Sequence, residues 1–170
     1  MKGAFFMKII VLSDSHGSSY DILKALKKHP DADAAIFLGD GVDDFFLCQP
    51  KFPSMAFMGV VGNCDYGRGE MWGLRSSEEI TLEGKRIFFC HGNNYAVKST
   101  DDHIITAAKS RGADIALFGH THTPTEKYIP EDERGGPLYL VNPGSVGRDS
   151  HTYAIITIKG NDVLISHGKV

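Results

Sequence analysis

The stretch Lys8-Ile9-Ile10-Val11-Leu12-Ser13-Asp14-Ser15-His16 joins an unbroken apolar run to a carboxylate and an imidazole. A run without polar alternation predicts a strand covered on both faces, the habit of parallel sheets in α/β proteins. The switch to Asp14 and His16 puts polar chemistry where the strand stops, which is where open α/β sheets bind ligands. The same junction recurs along the chain. Ala34-Ala35-Ile36-Phe37-Leu38 ends at Gly39-Asp40, and Met55 to Val61, interrupted by Gly59, ends at Gly62-Asn63-Cys64-Asp65. Ile87-Phe88-Phe89-Cys90 ends at His91-Gly92, and Ile115-Ala116-Leu117-Phe118 ends at Gly119-His120-Thr121-His122.

The segments between these runs complete a fold prediction. Tyr20 to Lys28 sets Ile22, Leu23 and Leu26 at helical spacing, and Pro30 stops it. Strand, helix, strand predicts a mostly parallel first sheet. Glu83-Gly84-Lys85 reads as a hairpin turn between Glu79–Leu82 and Arg86–Cys90. Thr100 or Asp101 is placed to cap a helix running to about Arg111, with Ile104, Ile105 and Ala108 inward. Thereafter Thr125–Ile129, Leu138–Val141, Thr152–Ile158 and Asp162–His167 read as strands, joined by the charged tip Pro130–Pro137 and the turn Lys159-Gly160-Asn161. Parallel units followed by antiparallel strands predict two facing sheets with helices outside.

Bulk properties narrow the classes. With 170 residues, 42% hydrophobic and 23% charged, one soluble domain over 1–170 is expected. A net charge of -3 offers no basic footprint for non-specific nucleic-acid binding. No stretch is long enough to span a bilayer. Met7 would serve as well as Met1 for an initiator, so residues 1–6 read as an N-terminal extension outside the core. Cys48, Cys64 and Cys90 are odd in number and irregularly spaced, which suits free thiols in a reducing cytoplasm.

The junction residues form a ligand set. Asp14 and His16 are two apart, and in an extended segment both side chains would face one ion. Asp40 has two carboxylate oxygens and could bridge two ions. Asn63 offers an amide oxygen, and His91, His120 and His122 offer ring nitrogens. Mixed oxygen and nitrogen donors suit Mn, Fe, Zn, Ni or Mg rather than a thiolate-bound structural zinc. Each cluster alone has an ordinary explanation as a turn or a buried histidine. Five in one chain point to a two-metal centre. His29, His103, His151 and His167 lack such company and read as ordinary.

In this order the clusters resemble the calcineurin-like metallophosphoesterase superfamily, and within it the small phosphodiesterases of the YfcE type. Asn142-Pro143-Gly144-Ser145 is similar to a late motif of that subfamily. The resemblance implies a four-layer αββα sandwich of two mixed sheets. It implies one ion on Asp14, His16, Asp40 and His122, and a second on Asp40, Asn63, His91 and His120. It implies two divalent ions, Mn first with Fe, Ni, Zn or Mg as the others, and in-line attack on a small phosphate ester by a hydroxide bridging them. Among the ligands it marks Asp40, Asn63 and His120 as catalytic.

Several neighbours are weighed as substrate contacts. Cys64 stands where many phosphomonoesterases of the superfamily carry a histidine that protonates the leaving group, so diesters or aryl esters are expected. Arg68, in the Gly-rich loop Tyr66–Gly69, and Asn93, where relatives often have histidine, are further candidates. Asp65 would orient a ligand, while Asp43 and Asp44 read as a solvated helix start. Phosphomonoesterase activity is the alternative within the enzyme class. A protein-binding module like the phosphoesterase-fold subunit of the retromer coat is the alternative outside it, and the complete ligand set favours the enzyme. Phe45-Phe46-Leu47 and Trp72 would offer a homo-oligomer contact if exposed, but burial is expected.

Overall fold

Ile9, Ile10, Val11 and Leu12 are all fully buried, as a run without polar alternation requires. The structure is a computed structural model that describes residues 6–170, so the expected extension lies, but for Phe6, outside the described residues. These four residues belong to β1 (Met7–Leu12), the central strand of a five-stranded sheet. β1 pairs in parallel with β2 (Ala34–Phe37), which pairs in parallel with β3 (Ala56–Gly59). On its other side β1 pairs antiparallel with β9 (Thr152–Lys159), which forms a hairpin with β10 (Asp162–Lys169).

The second sheet also has five strands, with three parallel ones at its centre and an antiparallel strand on each edge. β4 (Ser77–Leu82) and β5 (Lys85–Cys90) form the expected hairpin, and β5 pairs in parallel with β6 (Ile115–Leu117). β6 is parallel to β8 (Leu138–Asn142), and β7 (Thr125–Ile129) closes the edge antiparallel to β8. Alternating side chains send Ile9, Val11 and Ile36 from one sheet against Ile87, Phe89 and Leu117 from the other. Ile10, Leu12 and Phe37 point the opposite way, onto Ile22 and Leu26 of α1 (Ser19–Lys27) and Val42 and Phe45 of α2 (Val42–Phe46). Phe88 and Ala116 likewise meet Ile104 and Ala108 of α4 (Asp102–Ser110). The layers are therefore helix, sheet, sheet, helix. Each fully buried Ile, Leu or Phe contributes on the order of 1.5–3 kcal/mol, so the first core holds the two sheets together and the other two fix the helices on their outer faces.

The helix signals resolve locally. Ser18 Oγ accepts from Asp21 N at the start of α1. At α4 the Thr100 hydroxyl accepts from Asp102 N at 3.2 Å, while Asp101 occupies the cap position without a side-chain bond. Two expectations fail. Arg68 is not in a loop but opens α3 (Arg68–Trp72), a five-residue helix bounded by Gly67 and Gly73, both at positive φ. Leu47 is 66% exposed and Trp72 38% exposed rather than buried, whereas Phe45 is buried, and Phe46 stacks on Trp72 with centroids 4.9 Å apart.

Candidate metal centre

Parallel strands bring their carboxyl ends to one edge, and the candidate donors follow the ends of β1, β2, β3, β5 and β6. The donor-bearing loops are laced together there. Asp14 N donates to Gly39 O at 3.0 Å, His16 N to Asp40 O at 3.1 Å, and Gly119 N to His91 O at 2.9 Å.

Within the loops the backbone departs from the extended form the sequence suggested for Asp14 and His16. Asp14, His16, Asp40, His120 and His122 all have positive φ, between 47° and 67°. Left-handed backbone costs an L-residue about 1–2 kcal/mol, least for Asp, Asn and His among side chains bearing Cβ. The strain sits on the donors and turns each one back across the sheet edge.

Three groups of side chains result, each with donor atoms within 4.8 Å of one another: Asp14, His16 and His122; Asp40, His91 and His120; and His16, Asp40 and Cys64. The first two follow the halves the resemblance implies, without Asp40 in the first and without Asn63 in the second. The third is new, because Cys64 was read as a neighbour of the donors and not as one of them. Asn63 is exposed, and its amide nitrogen donates to Cys64 Sγ at 3.4 Å.

The two buried donor carboxylates, Asp14 and Asp40, are each anchored through one oxygen. Asp14 Oδ2 accepts from Ser13 Oγ at 2.5 Å and His120 N at 3.1 Å. Asp40 Oδ1 accepts from Cys64 N at 2.7 Å. Asp14 Oδ1 is the one buried side-chain polar atom among the described residues without a hydrogen-bond partner. It faces His122 Nε2 at 3.2 Å, His16 Nε2 at 3.7 Å and His91 Nε2 at 3.9 Å. Asp40 Oδ2 lies 3.3 Å from His91 Nε2. A buried, unpartnered carboxylate oxygen surrounded by imidazole nitrogens is the arrangement a divalent cation satisfies, so the donor set fits a metal.

The imidazoles are oriented from behind. His91 Nδ1 bonds Leu38 O at 2.7 Å, and His122 Nδ1 bonds Asp149 Oδ2, which leaves each Nε2 facing the cluster. Burial opposes a charge on His91, but the Asp40 carboxylate, Asp14 and the Leu38 carbonyl outweigh it and raise its pKa. Burial, with His91 and Lys98 nearby, lowers the pKa of His120. The two rings meet at 3.2 Å between His120 Nδ1 and His91 Nε2. Burial acts to raise the Asp40 pKa, but the bond and charge of His91 and the Cys64 amide pull it well below the ordinary carboxylate range.

Asp65 does what was expected of it, and more. Its carboxylate accepts four backbone N–H bonds, from Asp40, Gly41, Val42 and Gly62, at 2.7–3.1 Å. Asp44 is no mere solvated helix residue, since it accepts from Ser15 Oγ at 2.6 Å and Gly17 N at 2.8 Å and braces the His16 loop. Asp43 pairs with Arg68 at 3.0 Å and accepts from Trp72 Nε1 at 2.7 Å. A cavity of about 450 Å³ opens on this side, and His16, Asp40, Cys64, Tyr66, Arg68 and Arg148 are among its walls. Asn93 is exposed, bonds Asn94 and is not part of that wall.

The late motif, noticed but given no role in the sequence, ties the loops together. Asn142 Nδ2 donates to Gly119 O and Thr121 Oγ1, both at 3.0 Å, and Ser145 Oγ donates to Asp14 O at 2.8 Å. Arg148 and Asp149 were missed altogether, for a loop Arg-Asp carries no spacing signal.

Fold and donor cluster together define an α/β protein with a candidate metal centre at its strand ends. The model of the calcineurin-like phosphoesterase superfamily domain matches residues 7–161, and the chain belongs to that superfamily. It is 28% identical over 165 residues to the probable metallophosphoesterase YsnB of Bacillus subtilis, covering 94% of this chain and 89% of that protein. A solved structure of vacuolar protein sorting 29 from Cryptosporidium parvum superposes with TM-score 0.72 at 15% identity, covering 98% of this chain and all of that one. An archaeal phosphodiesterase superposes with TM-score 0.71 at 21% identity, covering 95% and 99%.

Proposed function

We propose that the chain is a phosphodiesterase dependent on two divalent metal ions. The observation that carries this reading is the orphaned Asp14 Oδ1, buried among three imidazole Nε2 atoms, one of which, that of His91, also faces Asp40 Oδ2. Asp14, His16, Asp40 and His122 would hold one ion, and Asp40, Asn63, His91 and His120 the other. When bound there, Mn or another divalent cation supplies an acidified water and neutralises charge on a phosphoryl oxygen. The chain's own part is to hold these donors in place through the hydrogen bonds that lace their loops together. Asp40, with Oδ2 3.3 Å from His91 Nε2 and Oδ1 anchored by Cys64 N, would be the residue shared by the two halves. Asn63 and His120, the latter with a pKa lowered by burial and by His91, would complete the catalytic face.

Preference for diesters rests on Cys64. Burial and the neighbouring Asp40 raise its thiol pKa from 9.0, so it is a poor proton donor to an alkoxide near neutrality. Aryl and other good leaving groups need no such donor. Cys64→His should raise phosphomonoester turnover relative to diester turnover, and unchanged selectivity would remove this argument.

Likeness to vacuolar protein sorting 29 favours a second reading, a protein-binding module on the same fold, which the full donor set opposes. Purified protein given Mn²⁺ should hydrolyse bis-p-nitrophenyl phosphate and lose that activity to chelator. Absence of turnover with Mn, Fe, Ni, Zn and Mg would favour the module.

A further inference from the structure

The chain has six arginines, and five have partners. Arg68 pairs with Asp43 at 3.0 Å, Arg75 with Glu78 at 3.7 Å, Arg111 with Glu79 at 3.0 Å and Arg134 with Asp132 at 2.5 Å. Arg86 Nη1 donates to Arg111 O at 2.5 Å. Among the described residues only Arg148 has a guanidinium with neither a hydrogen bond nor an ion pair, and Arg148 lines the cavity beside His16 and Asp40.

An exposed arginine is often merely solvated, and two features separate this one. First, the acids around the cavity are taken. Asp65 accepts four backbone amides, Asp44 binds Ser15 and Gly17, and Asp43 binds Arg68 and Trp72. Asp40, the remaining acid of the wall, has Oδ1 bonded to Cys64 N and Oδ2 facing His91 Nε2 at 3.3 Å, so among the described residues no carboxylate pairs with the Arg148 guanidinium. Second, the loop beneath it is built. Arg148 N donates to Ser145 Oγ at 2.9 Å, and that hydroxyl donates to Asp14 O at 2.8 Å. Val146 N donates to Ser13 O at 2.9 Å. A Cβ on Gly147 would stand 2.0 Å from Ser15 O, so the loop lies directly on the segment that carries Asp14 and His16. Arg148 is thus fixed at its backbone to the donor loop, which lowers the entropy lost when its side chain engages a ligand.

We propose that Arg148 anchors a phosphoryl oxygen of the substrate, the guanidinium fork matching phosphate geometry as a lone ammonium does not. This rests on reading the cluster as a phosphoesterase site, and it assigns affinity for the ester anion to a residue outside the donor set.

The test is calorimetric binding of inorganic phosphate to the Mn-loaded protein, with Mn²⁺ affinity and melting temperature measured alongside. Arg148→Ala should weaken phosphate binding roughly tenfold or more, as loss of a charge-assisted bond implies. Arg148→Lys should recover part of it, and Arg75→Ala none of the loss. Mn²⁺ affinity and melting temperature should not move. With a diester, KM should rise far more than kcat falls. Wild-type protein that ignores phosphate, an Ala variant that binds it normally, or a fall in Mn²⁺ affinity that tracks the loss would each overturn the proposal. If no ester is turned over yet phosphate binding still depends on Arg148, the enzyme reading fails and the anchor stands.

Discussion

Each donor carboxylate at the centre is anchored through one oxygen and turns the other towards imidazole nitrogens. Asp14 Oδ2 is held by Ser13 and His120, and Asp40 Oδ1 by Cys64, so the free oxygens point where charge is wanted. Asp40→Asn should therefore lower hydrolysis more than His122→Ala or His16→Ala, because it disturbs both halves at once. A near-normal rate for Asp40→Asn would refute bridging. Asp149→Asn removes the acceptor behind His122 and should weaken Mn²⁺ binding by about 10–100-fold in a titration. The thiols divide by burial. Cys64 is exposed, Cys48 and Cys90 are buried, and burial pushes the Cys90 thiol up to about 12. Since the thiolate is the reactive form, an alkylating reagent should modify Cys64 alone in the native protein, faster as pH rises towards its elevated pKa. Labelling of Cys90 before unfolding would contradict the core placement. At this scale the donor types were legible in the sequence, because a carboxylate or imidazole at the end of an apolar run is conspicuous. Their left-handed backbone was not, since Asp14 and His16 also tolerate the extended form. Asp149 and Arg148 escaped because their roles come from a fold contact between distant segments.

Elements explain why the loops can be so strained. β1, β2 and β3 run parallel in one sheet and β5, β6 and β8 in the other, so their loops emerge together and share hydrogen bonds. These strands were readable as continuous apolar runs, and α1 and α4 as helical spacing. α3 was not, because five residues between glycines show no period and look like a turn. Close approach makes Gly62 a strict requirement. A Cβ there would lie 2.2 Å from Asp40 Oδ1, so Gly62→Ala should displace that carboxylate and reduce metal affinity and activity together. Unchanged metal affinity in Gly62→Ala would show that the approach is looser than described. The hairpin tip between β7 and β8 has its own anchor. Lys109 Nζ, buried on α4, donates to Pro130 O at 2.5 Å and Asp132 Oδ1 at 2.8 Å. Lys109→Ala should make residues 130–137 the first site of proteolysis while ester hydrolysis persists.

At the scale of the whole molecule, folding and metal loading are one equilibrium. His91 has a raised pKa in the metal-free fold, so its protonated form stabilises that fold below 6.5 and the contribution fades as pH climbs through the raised value. Metal-free protein should accordingly melt lower about two pH units above 6.5 than at it. Added Mn²⁺ should reverse that trend, because a proton and a cation compete for the same nitrogen. A melting temperature that rises with pH in the absence of metal would place the charge elsewhere. The helix–sheet–sheet–helix stack gathers donors from chain positions as far apart as Asp14 and His122 without a covalent link, and all of its function-bearing geometry converges on how many ions they hold. Calorimetric titration of metal-free protein with Mn²⁺ measures that directly: two ions per chain are predicted, with both lost or weakened in Asp40→Asn, whereas one ion or none would contradict a binuclear centre.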